Sequence, residues 1–196
     1  MHSDTTTHTP TISTSALPLT PGRWELDTNH SRVGFSIRHL GVSKVRGIFE
    51  DFTAEVAIGE TPADSTLEVV VDVASLDTGN TDRDAHVLSD ELLDVARRPT
   101  LTFRGHDLIG AGDEWTLRGD LTLGEVTRPL DLQVEFGGIQ SFPLDGRGHA
   151  GFEARGELRR KDFGLDTGLL AGALLGEVVK LELDVQLLEP VPPTTG

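Results

Sequence analysis

"EWTLRGDLTLGEVTRPLDLQVEF", Glu114 to Phe136, alternates apolar and polar residues through two runs with a short break between them. In the first run Trp115, Leu117, Leu121 and Leu123 stand against Thr116, Arg118, Asp120 and Thr122. In the second, Leu130, Leu132, Val134 and Phe136 stand against Asp131, Gln133 and Glu135. Side chains of an extended strand point alternately to opposite faces, so this period predicts two strands, each with one dry and one wet face. That is the antiparallel pattern. Gly124 and Glu125 place a tight turn between them. Pro129 cannot donate to a ladder, so it is expected at the start or at an unpaired position of its strand.

The same period extends in both directions. "STLEVVVDVASL" puts Leu67, Val69, Val71 and Val73 on one face, with Glu68 and Asp72 on the other. "EVVKLELDVQLL" alternates Val179, Leu181, Leu183, Val185 and Leu187 with charged and polar residues. "GHAGFEARGELRR" does so around Ala150, Phe152, Ala154 and Leu158. In all, strands are expected near 22–38, 44–58, 66–73, 99–108, 114–123, 126–137, 147–159 and 177–189. One stretch departs from period two. "TDRDAHVLSDELLDVARRP" has helical spacing at Leu88, Leu92 and Val95, with Asp82 and Ser89 as expected N-caps. It is placed between strands four and five. The prediction is an all-β, eight-stranded antiparallel barrel with a short helical insertion. Closure removes the sheet edges, and strands as long as 44–58 suit a tilted barrel better than the alternative, a two-sheet sandwich. The barrel domain is expected over 22–189, with flexible tails at 1–21 and 190–196.

Charge and composition narrow the function. The chain of 196 residues carries a formal net charge of −15, which disfavours nucleic-acid phosphates and anionic membrane surfaces. It has no cysteine, which excludes disulfides, thiolate chemistry and Cys-ligated metal. The opening residues lack the basic and apolar regions of an export signal, and no segment has the length of a membrane helix. A cytoplasmic protein without stable membrane insertion is expected.

The stretch "HSRVGFSIRHLGVSKVRGIFEDF", His30 to Phe52, reads as two strands and their turn, with Val33, Phe35 and Ile37 on one side of the first and Ser36 and Arg38 on the other. His30 and His39 lie nine residues apart, so a strand sends them to opposite faces about 30 Å apart. They do not form a metal pair. His86 and His106 lack metal-ligand spacing. "LDTG" occurs at Leu76–Gly79 and again at Leu165–Gly168. Neither copy continues with the Ser or Thr that completes an aspartic-protease signature, and the chain is short for two lobes. There is no GxSxG elbow, P-loop or GxGxxG. No catalytic or metal-binding residue is expected. Phe35, Ile37, Phe49, Val71, Phe103, Phe136 and Phe152 are the candidate lining of an apolar interior. Ser36, Arg38, His39, Lys44 and Arg46 are candidates to meet a polar head near an entrance. From periodicity alone, the inward residues are more often ordinary core than the wall of a cavity.

Four segments in order carry a resemblance: "WELDTNHSRVGFSIRHLGVSKVRGIFEDF", "SLDTGNTDRDAHVLSDELLDVARRPTLTF", "GDLTLGEVTRPLDLQVEF" and "RRKDFGL". Together they cover about residues 23–188, and they resemble the YceI-like family of polyisoprenoid-binding, lipocalin-like proteins. The resemblance implies a lipocalin-like antiparallel barrel with a helix near one end. It implies a hydrophobic small-molecule guest, an isoprenoid (polyprenyl or quinone-like) or fatty-acid-like lipid, and no required cofactor. It also implies a binding or carrier role without chemistry, and a homodimer as one possible assembly. The rival expectations are an enzyme on a lipid-like substrate, using Asn80, Asp82, Arg83, Asp84 and His86, and a stress-related interaction protein with a filled barrel. Leu92 and Leu93 stand where the family often has aromatic residues, and Glu125 where it has a small one.

Overall fold

The computed structural model describes residues 18–165 and 174–191. Most of the expected tails and Asp166–Gly168 of the second "LDTG" lie outside the described residues. The strands are β1 (Gly22–Leu26), β2 (Arg32–His39), β3 (Ser43–Phe49), β4 (Phe52–Ile58), β5 (Thr66–Asp72) and β6 (Leu76–Asp77). After helix α1 (Thr81–Leu88) come β7 (Thr100–Ala111), β8 (Glu114–Leu123), β9 (Val126–Ser141), β10 (Gly148–Arg159) and β11 (Leu175–Leu188).

The ring runs β1-β4-β5-β7-β8-β9-β10-β11 and closes by pairing β11 with β1. All ladders are antiparallel. β1 and β2 are two segments of one stave running along β11, and β3 and β4 are two segments of the next. The eight expected strands are therefore eight staves of a closed barrel. The first stave breaks at residues 27–31, where the Asp27 carboxylate accepts the Asn29 N–H at 3.0 Å and turns the chain. The opening hairpin forms as its alternation predicts. Leu123 pairs with Val126, and Gly124 takes φ +60° in the turn between them. Pro129 lies opposite Asp120, in the part of β9 where the ladder to β10 has not yet begun. That side therefore lacks no donor.

The helix differs from its expectation in three ways. It falls between β6 and β7, after the third of the eight staves rather than the fourth, because β5 leads through a single 3-10 turn into β6 and then α1. Its N-cap is Asn80, not Asp82: Asn80 is extended, and its side chain accepts the Arg83 N–H. Ser89 ends the helix rather than starting a second one. Its hydroxyl donates to the His86 carbonyl at 2.7 Å and its backbone is extended. Leu92, Leu93 and Val95 follow in turns.

The two ends of the barrel are packed differently. At the helix end, Leu123, Leu130, Phe163 and Leu165 form a cluster with Leu88, Leu93 and Val95 against it. There the buried Arg160 donates to the Gly176 carbonyl at 2.8 Å and to the carbonyls of Leu165 and Leu175. At the far end, Leu19, Trp24, Val56, Phe136, Ala150 and Leu187 pack together. The Trp24 indole donates to the Thr20 carbonyl at 2.9 Å, which satisfies its one polar atom.

Candidate functional site: an apolar cavity inside the barrel

Between these two packed ends the inward faces do not meet. Val33, Phe49, Leu67, Val69, Leu101, Val134, Leu181 and Leu183 point inward yet are only half-buried. They surround a cavity of about 230 Å³. Its wall takes residues from every stave, almost all of them aliphatic or aromatic. The polar residues that border it are Ser65, Thr66 and Asp107, at the far end beside the β4–β5 turn. Thr66 and Asp107 are at outward positions next to the inward Leu67 and Leu108, and the Asp107 carboxylate lies on the outer face, 3.7 Å from the Arg118 guanidinium.

A void of this size is costly to leave empty. At ~24 cal/mol per Å³, an empty cavity of this size costs the fold about 5 kcal/mol, a large share of a typical net stability of about 5–15 kcal/mol. Water does not fill it cheaply, because a buried water needs two to four polar partners and this wall offers few. An apolar guest regains the contacts and removes its own surface from water, at ~0.8 kcal/mol per methylene.

Of the expected lining residues, Phe49, Val71, Phe103 and Phe152 form part of the wall. Phe35 and Phe136 stand behind it: their rings pack on Phe49 and Phe152 at centroid distances of 5.6 and 5.2 Å. Ile37 is buried nearer the helix end and does not reach the cavity. Two inward glycines make room for rings. A Cβ on Gly119 would lie 2.4 Å from the Phe103 ring, and one on Gly47 2.5 Å from Phe35. None of Ser36, Arg38, His39, Lys44 and Arg46, expected near an entrance, lines the cavity. Ser36 is on the outer face, buried between its register partners Lys180 and Arg46. Arg38, Lys44 and Arg46 are exposed on the β2–β3 hairpin, and His39 ends β2 beside them.

The side chains proposed for a lipid enzyme serve the helix. Asn80 caps it. Asp84 accepts the Thr78 N–H and hydroxyl, and Arg83 donates to the Thr78 hydroxyl and carbonyl, both at 2.7 Å. His86 pairs with Glu91 at 3.1 Å on the exposed side. None of them lines the cavity. Among the described residues, no three His, Asp or Glu side chains converge as metal ligands.

A second polar group crosses the outer wall. Asp27 accepts from His30 at 2.8 Å and from Gln186 at 2.9 Å, and Gln186 reaches His149, which meets Asp145 at 3.0 Å. Burial pushes the Asp27 carboxyl up, but the hydrogen bonds from His30, the Asn29 backbone and Gln186 outweigh it and hold the group below its ordinary value.

Sequence reading passes over Phe52, Ala54, Trp115 and Leu132, all of which line the cavity. Trp115 and Leu132 were marked by their alternation. Phe52 and Ala54 were not, because the break between β3 and β4 shifts the inward positions from odd to even numbers. No local signal marks Arg160 as buried: "RRKD" reads as a charged strand end.

Residues 24–187 match the family model described as the YceI-like domain. Protein YceI of Escherichia coli is 39% identical over 141 residues, covering 71% of this chain and 73% of that protein. BcnA of Burkholderia cenocepacia superposes with a TM-score of 0.73 at 19% identity, over 83% of this chain and 99% of that one. A polyisoprenoid binding domain from Saccharophagus degradans superposes with a TM-score of 0.64 at 16% identity, over 87% of this chain and all of that one (100%).

Proposed function

The chain belongs to the YceI-like family, and from that premise we propose that it is a carrier, without chemistry of its own, for an isoprenoid or similar amphipathic lipid. The observation that carries the reading is the ring of half-buried apolar side chains around a cavity of about 230 Å³. A filled barrel would bury those side chains against one another. The polyisoprenoid binding domain from Saccharophagus degradans, similar in fold, supports the choice of guest. The cluster from Asn80 to His86 is committed to holding the helix, which takes away the motive for an enzymatic reading.

The wall also bears on the polar head of the guest. Phe49, Val71, Phe103 and Phe152 would hold the chain. Ser65 borders the far end, where the head would lie. Among the described residues, no Lys or Arg lines the wall to pair with a phosphate, which suits a neutral head such as an alcohol.

The test is native mass spectrometry and solvent extraction of the purified protein, followed by titration with a polyprenol, a quinone and a polyprenyl phosphate. A co-purified lipid, or uptake of the neutral probes ahead of the phosphate, is expected. Protein that is empty and ignores all three probes refutes the carrier reading.

A further inference from the structure

We propose that the β2–β3 hairpin is a docking element for an anionic lipid bilayer. It lies at the helix end of the barrel, where the Leu40 N–H donates to the Leu174 carbonyl at 2.7 Å and His39 pairs with Leu175. β3 pairs on its outer side with β6 only at Ile48 and Phe49, so Ser43–Gly47 has no strand beyond it among the described residues. At its tip, Val42 is 82% exposed and Leu40 55%. On the flanks, Arg38 lies opposite Lys44, and Arg46 two positions further along lies opposite Ser36. These three cations therefore share the outer face. All are exposed, and among the described residues none has a carboxylate within salt-bridge distance.

Three observations favour a membrane over an ordinary solvated turn. First, charge is segregated. The chain holds 32 Asp and Glu, yet Thr28 to Phe49 contains none. With screening over about 8 Å at physiological salt, a surface feels the local cations and not the distant excess of acid. Second, Leu40 has φ +52°, a left-handed conformation that is strained for a bulky side chain and free for glycine. A solvated turn has no use for a strained, half-bare leucine; an inserting tip does. Third, basic residues on an open edge do discourage strand addition. That role accounts for Lys44 and Arg46, but not for Arg38 on the inner strand or for the apolar tip. Apolar tip residues with flanking cations are the parts that weak, reversible binding to an anionic surface requires.

The docking reading stands on the hairpin and goes beyond the carrier reading, which gives it a purpose: a lipid carrier must meet the bilayer that supplies or receives its guest. It is independent of the end by which a guest enters.

The experiment is co-sedimentation of the full chain with phosphatidylcholine vesicles, with and without about one third phosphatidylglycerol. The wild type is expected on the anionic vesicles, to be released by high salt, and to ignore the neutral ones. Removing the charges (Arg38→Gln, Lys44→Gln, Arg46→Gln) should weaken binding roughly fivefold per cation, on the order of a hundredfold together. Leu40→Gly with Val42→Ser should also weaken it, without lowering the melting temperature. Leu144→Ser, on a side chain 87% exposed at the other end of the barrel, should bind as the wild type does. Wild type that ignores anionic vesicles, binds both kinds equally, or holds on in high salt overturns the proposal. So does full binding by the charge variant, or an equal loss in Leu144→Ser. The two readings fail separately. Wild type that takes up a polyprenol but ignores vesicles refutes docking alone, and wild type that docks but takes up no probe refutes the carrier alone.

Discussion

Val69 shows at single-residue scale what kind of interior this is. It faces inward between Ala54 and Phe103, half-buried, with the cavity in front of it. In a packed core a larger side chain would cost about 1–3 kcal/mol of strain. Here Val69→Phe should fill void: the melting temperature of guest-free protein holds or rises, and probe uptake falls by at least tenfold. A melt and a fluorescence titration on the same sample check both. Asp27 makes a different prediction. Its folded pKa is lowered, so its contribution is complete above the unfolded value near 4 and is lost as pH falls through the folded one. Asp27→Asn should therefore unfold at lower urea than the wild type at pH 7, and the gap should close below about pH 4. A gap that is constant from neutral to acid pH would contradict the assignment.

At the scale of an element, the short 3-10 turn Arg160–Phe163 depends on one buried cation. The Arg160 guanidinium spans the carbonyls of Leu165, Leu175 and Gly176, tying the end of β10 to the start of β11. Arg160→Met should cost about 2–4 kcal/mol, because the buried carbonyls lose charged donors. Arg160→Lys should restore only part of this, since a point charge cannot span the fork. Urea midpoints read both. The same region shows what the sequence makes legible. Strand positions came from alternation, which is local, and the observed staves follow it closely from Glu114 to Leu123. The helix start was missed by two residues because Asn80, Asp82 and Ser89 are all capable caps, and only backbone conformation chooses among them. The role of Arg160 depends on a partner strand some 15 residues away, and no local pattern encodes that.

For the whole molecule, the cavity is the property that periodicity could not supply. Alternation says which side chains face inward. Whether eight inward faces meet depends on ring diameter and on the volumes opposite one another, such as Phe103 over Gly119. Of the candidate wall residues, Phe49, Val71, Phe103 and Phe152 border the cavity, and the candidate head residues lie on the β2–β3 hairpin. Net charge is likewise silent about distribution: −15 is a sum over the chain, and Thr28 to Phe49 holds none of its carboxylates. If the cavity is the binding site, a guest at a hundredfold excess over its Kd adds about 2.7 kcal/mol. In a chain of this length that raises Tm by roughly 5–10 °C. Val69→Phe should abolish that shift.

The seam between the first stave and β11 has a kinetic consequence. It holds two pairs in β1, Glu25 with Leu188 and Leu26 with Leu187, and seven in β2, from Arg32 with Asp184 to His39 with Leu175, against eleven between β10 and β11, from His149 to Arg159. The seam partners are roughly 140–160 residues apart in sequence, so their contact carries the largest loop-closure entropy in the ring. The hairpins form from near neighbours, and the seam zips last. In pulse-labelled refolding its amides should gain protection after those of β8 and β9, and in native hydrogen exchange they should open first. The barrel then passes through a late state in which its sheet is complete, its greasy inner wall is formed, and one side is still unlatched. A nascent chain in that state can close around a lipid.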